Sequence, residues 1–178
     1  MEKFDKNIDV LFSEEQIRNK VKELGKRITE DFADEKELIV VGLLKGSILF
    51  MSDLIREIKL PLKIDFMTVS SYGNQKETSR EVKIVKDLEE NIMGKNVLIV
   101  EDIIDSGLTL NKILEILKAR EPKALKLATF LNKPSRREVD VFVDYNGYNI
   151  PDEFVVGYGL DFAQKYRNLS YVGILKGE

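Results

Sequence analysis

Three short runs of almost uninterrupted apolar residues limit this chain more than anything else in it: Leu38–Leu44 (LIVVGLL), Asn96–Val100 (NVLIV) and Ala124–Leu131 (ALKLATFL). A strand with an apolar side chain at nearly every position has no polar face to turn to solvent. It must be covered on both sides, as in the parallel sheets of α/β proteins. The segments that follow two of these runs have the matching period. Met51, Leu54, Ile55 and Ile58 repeat at helical spacing up to Pro61, and Leu110, Ile113, Leu114 and Leu117 repeat before Pro122. A first helix is read from a capping box, Ser13 with Gln16, followed by Ile17, Val21, Leu24, Ile28 and Phe32, and is expected to end near Asp34. Strands alternating with helices predict an α/β fold, a mainly parallel twisted sheet flanked by helices.

The rest of the chain is read from weaker signals. Lys63–Ser71 and Glu81–Val85 read as an antiparallel hairpin whose long polar tip, Tyr72–Arg80 (YGNQKETSR), suggests a lid. Further strands are expected at Val139–Val143, Phe154–Tyr158 and Tyr171–Leu175. At 178 residues and 43% hydrophobic, one domain spanning 1–178 is the expectation.

In a parallel sheet of this kind, ligands bind beyond the carboxyl ends of the strands. Three such ends carry polar groups here: Lys45-Gly46, Glu101-Asp102 and Lys133. The composition then narrows the chemistry. With no histidine and no cysteine, thiolate nucleophiles, imidazole-based triads and the usual zinc sites are excluded, and so is any disulfide. A catalytic acid or base must be Asp, Glu, Lys or Tyr, and any metal would take oxygen ligands, which points to Mg²⁺ or a relative. A net charge of −3 without a basic block argues against a dedicated nucleic-acid partner. The N-terminus lacks the apolar stretch of a signal peptide, and no apolar run approaches the roughly 20 residues of a bilayer span. A cytoplasmic protein without membrane partners is expected.

The second apolar run leads into Glu101-Asp102-Ile103-Ile104-Asp105-Ser106-Gly107-Leu108-Thr109. Gly107 can expose consecutive backbone N–H groups, Ser106 and Thr109 add hydroxyls, and the following helix adds a partial positive charge, all of which suits a phosphate. The same residues would also serve as simple helix caps. Two carboxylates beside a phosphate cradle would repel a bare phosphate. They fit a ligand that presents a diol or a divalent cation next to its phosphate, as a ribose 5-phosphate does; otherwise they are solvated acids at a strand end. The chain has no G-x-G-x-x-G and no G-x-x-x-x-G-K-[ST].

This run resembles the ribosyl-phosphate-binding signature of type I phosphoribosyltransferases, most closely the hypoxanthine-guanine phosphoribosyltransferases of bacterial type. Supporting strings are Leu44-Lys45-Gly46, Ser70-Ser71-Tyr72, Lys133-Pro134-Ser135-Arg136-Arg137, Ile150–Tyr158 (IPDEFVVGY), and Leu160-Asp161 with Arg167. The resemblance implies a core over about 36–140 and a small hood from about 1–12 and 144–178, with the hairpin as a flexible loop carrying Ser71 and Tyr72. It implies that Glu101 and Asp102 hold the ribose diol and the magnesium shell, and that Asp105, Ser106, Gly107, Leu108 and Thr109 hold the 5-phosphate. Asp105 is then the general base facing purine N7. Lys45, Gly46 and Arg167 would take the pyrophosphate, and the Leu44–Lys45 peptide can be cis. Lys133 would donate to the oxygen at purine C6, Phe154 would stack on the base, Val155 would offer backbone groups to its edge, and Asp161 would ligate a second magnesium. Taken alone, Lys45 and Lys133 also read as exposed lysines at strand ends, and Phe154 as ordinary core. The family's phosphate loop often carries a lysine where this chain has Leu108.

The activity so implied is transfer of a phosphoribosyl group from phosphoribosyl pyrophosphate to N9 of hypoxanthine or guanine, with Mg²⁺ as cofactor, by a homodimer or homotetramer. The alternatives are a nucleotide-sensing regulator on the same fold, or a phosphoribosyltransferase for xanthine or another base.

Overall fold

The computed structural model describes residues 7–72 and 81–176. In chain order the elements are β1 (Ile8–Phe12), α1 (Glu14–Asp31), β2 (Leu38–Leu44), α2 (Ile48–Glu57), β3 (Leu62–Tyr72), β4 (Glu81–Lys86), β5 (Asn96–Ile104), α3 (Leu108–Lys118), β6 (Ala124–Asn132), a 3₁₀ turn at Pro134–Arg136, β7 (Tyr145–Asn149), β8 (Val155–Val156) and β9 (Val172–Leu175).

Six strands form one twisted sheet in the order β4-β3-β2-β5-β6-β7. All its pairings are parallel except β3 with β4, the expected hairpin. The apolar runs sit at its centre and explain its layering. Leu38, Val40, Leu98, Val100, Ala128 and Phe130 pack on one face with α1 and α2, while Ile39, Val41, Leu43, Val97, Ile99 and Leu127 pack on the other with α3. The alternation is the period of two of a pleated strand, with both faces buried. Each such side chain contributes about 1.5–3 kcal/mol relative to exposure.

α1 begins where its capping box predicts: Ser13 N donates to Gln16 Oε1 at 2.9 Å, and Gln16 N donates to Ser13 Oγ at 3.3 Å. It buries Ile17, Val21, Leu24 and Ile28 and is capped at Phe32, slightly earlier than the sequence suggests. The chain's two ends form a separate three-stranded sheet, β1-β9-β8, all antiparallel. β1 carries no sequence signal beyond its place near the terminus.

Two expectations fail. Val139–Val143 forms no strand, because its polar groups are engaged elsewhere. Val139 N donates to Ser106 O at 3.2 Å, Val141 and Val143 pack against the core under α3, and the free edge of β6 is taken by β7. The second apolar run, Asn96–Val100, also ends too early as a strand: β5 runs through Ile104 and α3 begins at Leu108, so Glu101 and Asp102 belong to the strand itself. The tip of the hairpin, residues 73–80, lies outside the described residues. Among the described residues, no helix is long and apolar enough to cross a membrane.

Candidate active site

The parallel register brings the carboxyl ends of β2, β5 and β6 to one edge of the sheet. Beyond β2, Lys45 and Gly46 form a tight turn after a cis Leu44–Lys45 peptide. The turn is fastened by Ser47 Oγ, which donates to Leu43 O at 2.6 Å in a buried position. Gly46 is pressed against the acid pair: a Cβ there would lie 1.7 Å from Asp102 Oδ2. On its other side Gly159, at φ +100°, approaches so closely that a Cβ on it would lie 2.1 Å from Gly46 O. No side chain other than hydrogen fits at either position.

Glu101 and Asp102 end the straight part of β5 and are half-buried among these strand ends. Both keep some contact with solvent, yet the surrounding protein is dense enough to disfavour their charged forms. Burial, then repulsion by Asp102, pushes the Glu101 carboxyl well above the usual range. Burial pushes Asp102 up to about 6, with the N–H of Ile103 and the charge of Arg167 pulling the other way. Such a pair is stabilised by anything that offers it hydroxyl donors or a cation.

The turn after β5 lines a cleft of about 220 Å³ together with Glu101, Asp105, Ser106, Gly107 and Thr109. Gly107 is the N-cap of α3 in the left-handed conformation, φ +82°, and no side chain caps the helix. Of the three capping candidates, Asp105, Ser106 and Thr109, only Ser106 meets the helix start, and weakly. Ser106 Oγ reaches only the N–H of Leu108, at 3.4 Å. The helix N-terminus is left open toward the cleft, as an anion site requires.

Lys133, just past β6, is 7% exposed, and its ammonium lies 3.3 Å from Asp105 Oδ1 and 3.9 Å from Asp152 Oδ1. It is thus no solvated surface lysine. Phe154 is 52% exposed, so it is not core either, and its ring meets that of Phe162 edge to face at 5.6 Å. Val155 is buried in β8 opposite Ile174. Asp161 and Arg167 pair at 2.6 Å, and Arg167 Nη1 donates to Gly159 O at 2.7 Å. Gln164 joins this group by accepting from Lys45 Nζ at 3.4 Å. The backbones of Ser71 and Tyr72 are on β3, opposite Val82 and Glu81.

The sequence signals miss Gly159, Phe162 and Gln164. A glycine inside an aromatic-rich run is the only trace of the first, and nothing in the chain marks the other two. A larger cleft, about 680 Å³, lies between α1, α2 and residues 168–170, but its acids Glu14, Asp53 and Glu57 are mixed with Arg18 and Arg56, and it shares no lining residue with the cleft at the phosphate turn.

A profile of the Phosphoribosyl transferase domain matches residues 8–163, most of the chain, including the site residues described above except Gln164 and Arg167. The chain belongs to the phosphoribosyltransferase family. Within that family it is 59% identical to the hypoxanthine phosphoribosyltransferase of Salmonella typhimurium, over 93% of this chain and 94% of that protein. It is 53% identical to the hypoxanthine-guanine phosphoribosyltransferase of Bacillus subtilis, over 94% and 92%. A crystal structure of a hypoxanthine-guanine phosphoribosyltransferase from Bacillus anthracis superposes with a TM-score of 0.91 at 53% identity, covering 96% of this chain and 99% of that one. The phosphoribosyltransferase fold is therefore shared over nearly the full length of these proteins.

Proposed function

We propose that this phosphoribosyltransferase acts in purine salvage, joining hypoxanthine or guanine to the ribosyl group of phosphoribosyl pyrophosphate to give IMP or GMP and pyrophosphate. The observation that carries this reading is the contiguity of the half-buried Glu101–Asp102 pair, the uncapped turn at Gly107 and the buried Lys133 beside Asp105. The names of its relatives support the same substrates over the regulator and over other bases.

In this reading the 5-phosphate takes the amides and hydroxyls of residues 105–109, and the ribose diol takes Glu101 and Asp102. The purine stacks on Phe154 with its edge toward the backbone of Val155. Lys133, which can only donate, selects an oxo over an amino group at C6. The N9 lone pair forms the bond to C1′ as the bond from C1′ to the pyrophosphate oxygen breaks. The proton that the imidazole ring must lose passes to Asp105, the carboxylate nearest Lys133. Positive charge developing at C1′ is offset by the same carboxylates. Lys45, the Gly46 amide and Arg167 receive the departing pyrophosphate, Arg by paired donors. Ser71 and Tyr72 lead into the segment that would close over the site.

The donor chemistry suits magnesium. Glu101, Asp102 and Asp161 offer hard carboxylate oxygens, and the raised proton affinity of the first two marks a place where a cation is favourable. Among the described residues no three acidic groups converge, so an ion there would draw most of its shell from pyrophosphate and water. When bound, magnesium screens the charge of the pyrophosphate and fixes its geometry. The same reading gives a cytoplasmic homodimer or homotetramer, which mass measurement in solution would decide.

The test is IMP formation from hypoxanthine and phosphoribosyl pyrophosphate, with and without Mg²⁺, on the native protein and on Asp105→Asn. We expect magnesium-dependent activity in the first and a loss of about 10²–10⁴-fold in the second. An inactive native protein sinks the enzyme reading, and a fully active variant removes Asp105 from its role. Competition among hypoxanthine, guanine and xanthine then ranks the bases.

A further inference from the structure

Behind the phosphate turn lies a cation with no assigned task. Arg137 follows the 3₁₀ turn, and its Nη2 donates to Asn132 Oδ1. Its Nη1 is buried and finds no acceptor among the described residues. That nitrogen is 3.1 Å from where a Cβ on Gly107 would lie. The turn is tied to the same segment: Ser106 O accepts from Glu138 N at 2.9 Å and from Val139 N at 3.2 Å. Burial lowers the proton affinity of the guanidinium, while Asp105 and Asp140 raise it. An arginine nonetheless stays charged.

A buried donor on a charged group, left without an acceptor, is costly unless something else compensates it. Asp105 faces Arg137 but is exposed and already held by Lys133. The first residue of α3, where a cation could have faced the phosphate directly, is the apolar Leu108. Gly107, against which Arg137 Nη1 lies, also lines the cleft where the proposed function puts a dianionic 5-phosphate. A buried charge behind the same turn attracts such an anion with less screening by salt than a surface cation would.

We propose that Arg137 is a positioning residue for the 5-phosphate, supplying through the Gly107 turn the positive charge that Leu108 does not. This rests on the phosphoribosyl reading of that turn. All variants are built on the whole chain. Arg137→Met removes the charge and keeps the volume, whereas Arg137→Lys keeps the charge.

Binding of ribose 5-phosphate and of IMP is read by calorimetry, and KM for each substrate by steady-state kinetics. The expected result is at least a tenfold weaker Kd for both ligands in Arg137→Met, with KM raised for phosphoribosyl pyrophosphate and not for hypoxanthine. Arg137→Lys should stay within about threefold of native. A cation returned by Leu108→Lys in the Arg137→Met background should recover most of the loss. Native ligand affinity in folded Arg137→Met overturns the proposal. So does a loss that neither lysine restores, since it would mark a mere tether. Should Arg137→Met not fold, Leu108→Lys on the native chain decides: a gain under about threefold supports the proposal, and a tenfold gain overturns it. Native protein that binds ribose 5-phosphate but transfers nothing would defeat the enzyme reading while leaving Arg137 its role.

Discussion

Gly46→Ala should damage the active site directly. Its backbone is not in the left-handed region, so alanine suffers no conformational penalty there. The damage is steric. The new Cβ would sit 1.7 Å from Asp102 Oδ2 and 2.5 Å from Asp102 Cγ. A tolerable contact is about 3.2 Å, so Asp102 must retreat by roughly 1.5 Å. The turn has little room to move instead, because the backbone of Gly159 lies so close to Gly46 O that a Cβ on it would come within 2.1 Å. In moving, Asp102 gives up the hydrogen bond from Ile103 N to Oδ1, 2.9 Å long. A catalytic group misplaced by about 1 Å costs about 10²-fold, or ~2.7 kcal/mol of transition-state stabilisation. We therefore expect kcat/KM for phosphoribosyl pyrophosphate to fall at least 100-fold. KM for hypoxanthine should change little, because Lys133 and Phe154 are on other elements. Steady-state kinetics over both substrates, with a thermal melt to confirm folding, measures this. A folded Gly46→Ala protein with kcat/KM within threefold of native would refute the contact between this turn and the acid pair.

Lys133→Met should raise KM for hypoxanthine roughly 10- to 150-fold, the value of one hydrogen bond to a charged donor, about 1.5–3 kcal/mol. It should cost little stability, since Asp105 is left exposed rather than buried; a large drop in melting temperature with unchanged KM would contradict this. The acid limb of kcat/KM for phosphoribosyl pyrophosphate should reflect the raised Glu101–Asp102 pair, with Asp102 ionising near pH 6, and should shift in Asp102→Asn. Because the folded carboxyl is raised above its unfolded value, this group lowers stability as pH climbs from about 4 to 6, so a melt series should show that cost vanish in the variant. Asp65 works in the opposite sense. Burial pushes its carboxyl up, but the N–H groups of Glu90, Phe66 and Glu89, with Lys86, prevail and hold it below the usual value. Its stabilisation is complete above about pH 4 and fades as pH falls further. Asp65→Ala, which orphans these donors, should cost about 3–5 kcal/mol in urea unfolding at pH 7, and an unchanged midpoint would rule out the buried carboxylate as an anchor.

How much of this was legible beforehand divides along physical lines. Wherever one residue's neighbours in sequence decide its environment, the chain could be read. The runs LIVVGLL and NVLIV cannot be half-exposed, so the sheet's centre and its two covered faces follow; Ser13 and Gln16 are three apart, so the start of α1 follows. The charged strand ends follow as well, because a parallel sheet collects its carboxyl ends at one edge. What could not be read depends on contacts between segments far apart in the chain. Val139–Val143 has the composition of a strand, yet the turn at Ser106 takes one of its amides and β7 takes the edge it would need. Gly46 and Gly159 look like ordinary turn glycines until the fold stacks one on the other. Lys133 and Phe154 are harder still, since local sequence gives each two opposite burials. The structure makes the lysine buried and the phenylalanine exposed, the reverse of what hydropathy assigns to those residue types. That inversion is itself informative: burying a cation and exposing a ring each oppose the stability of the protein alone, and in the proposed function both costs are offset by a base that takes a hydrogen bond from Lys133 and stacks on Phe154.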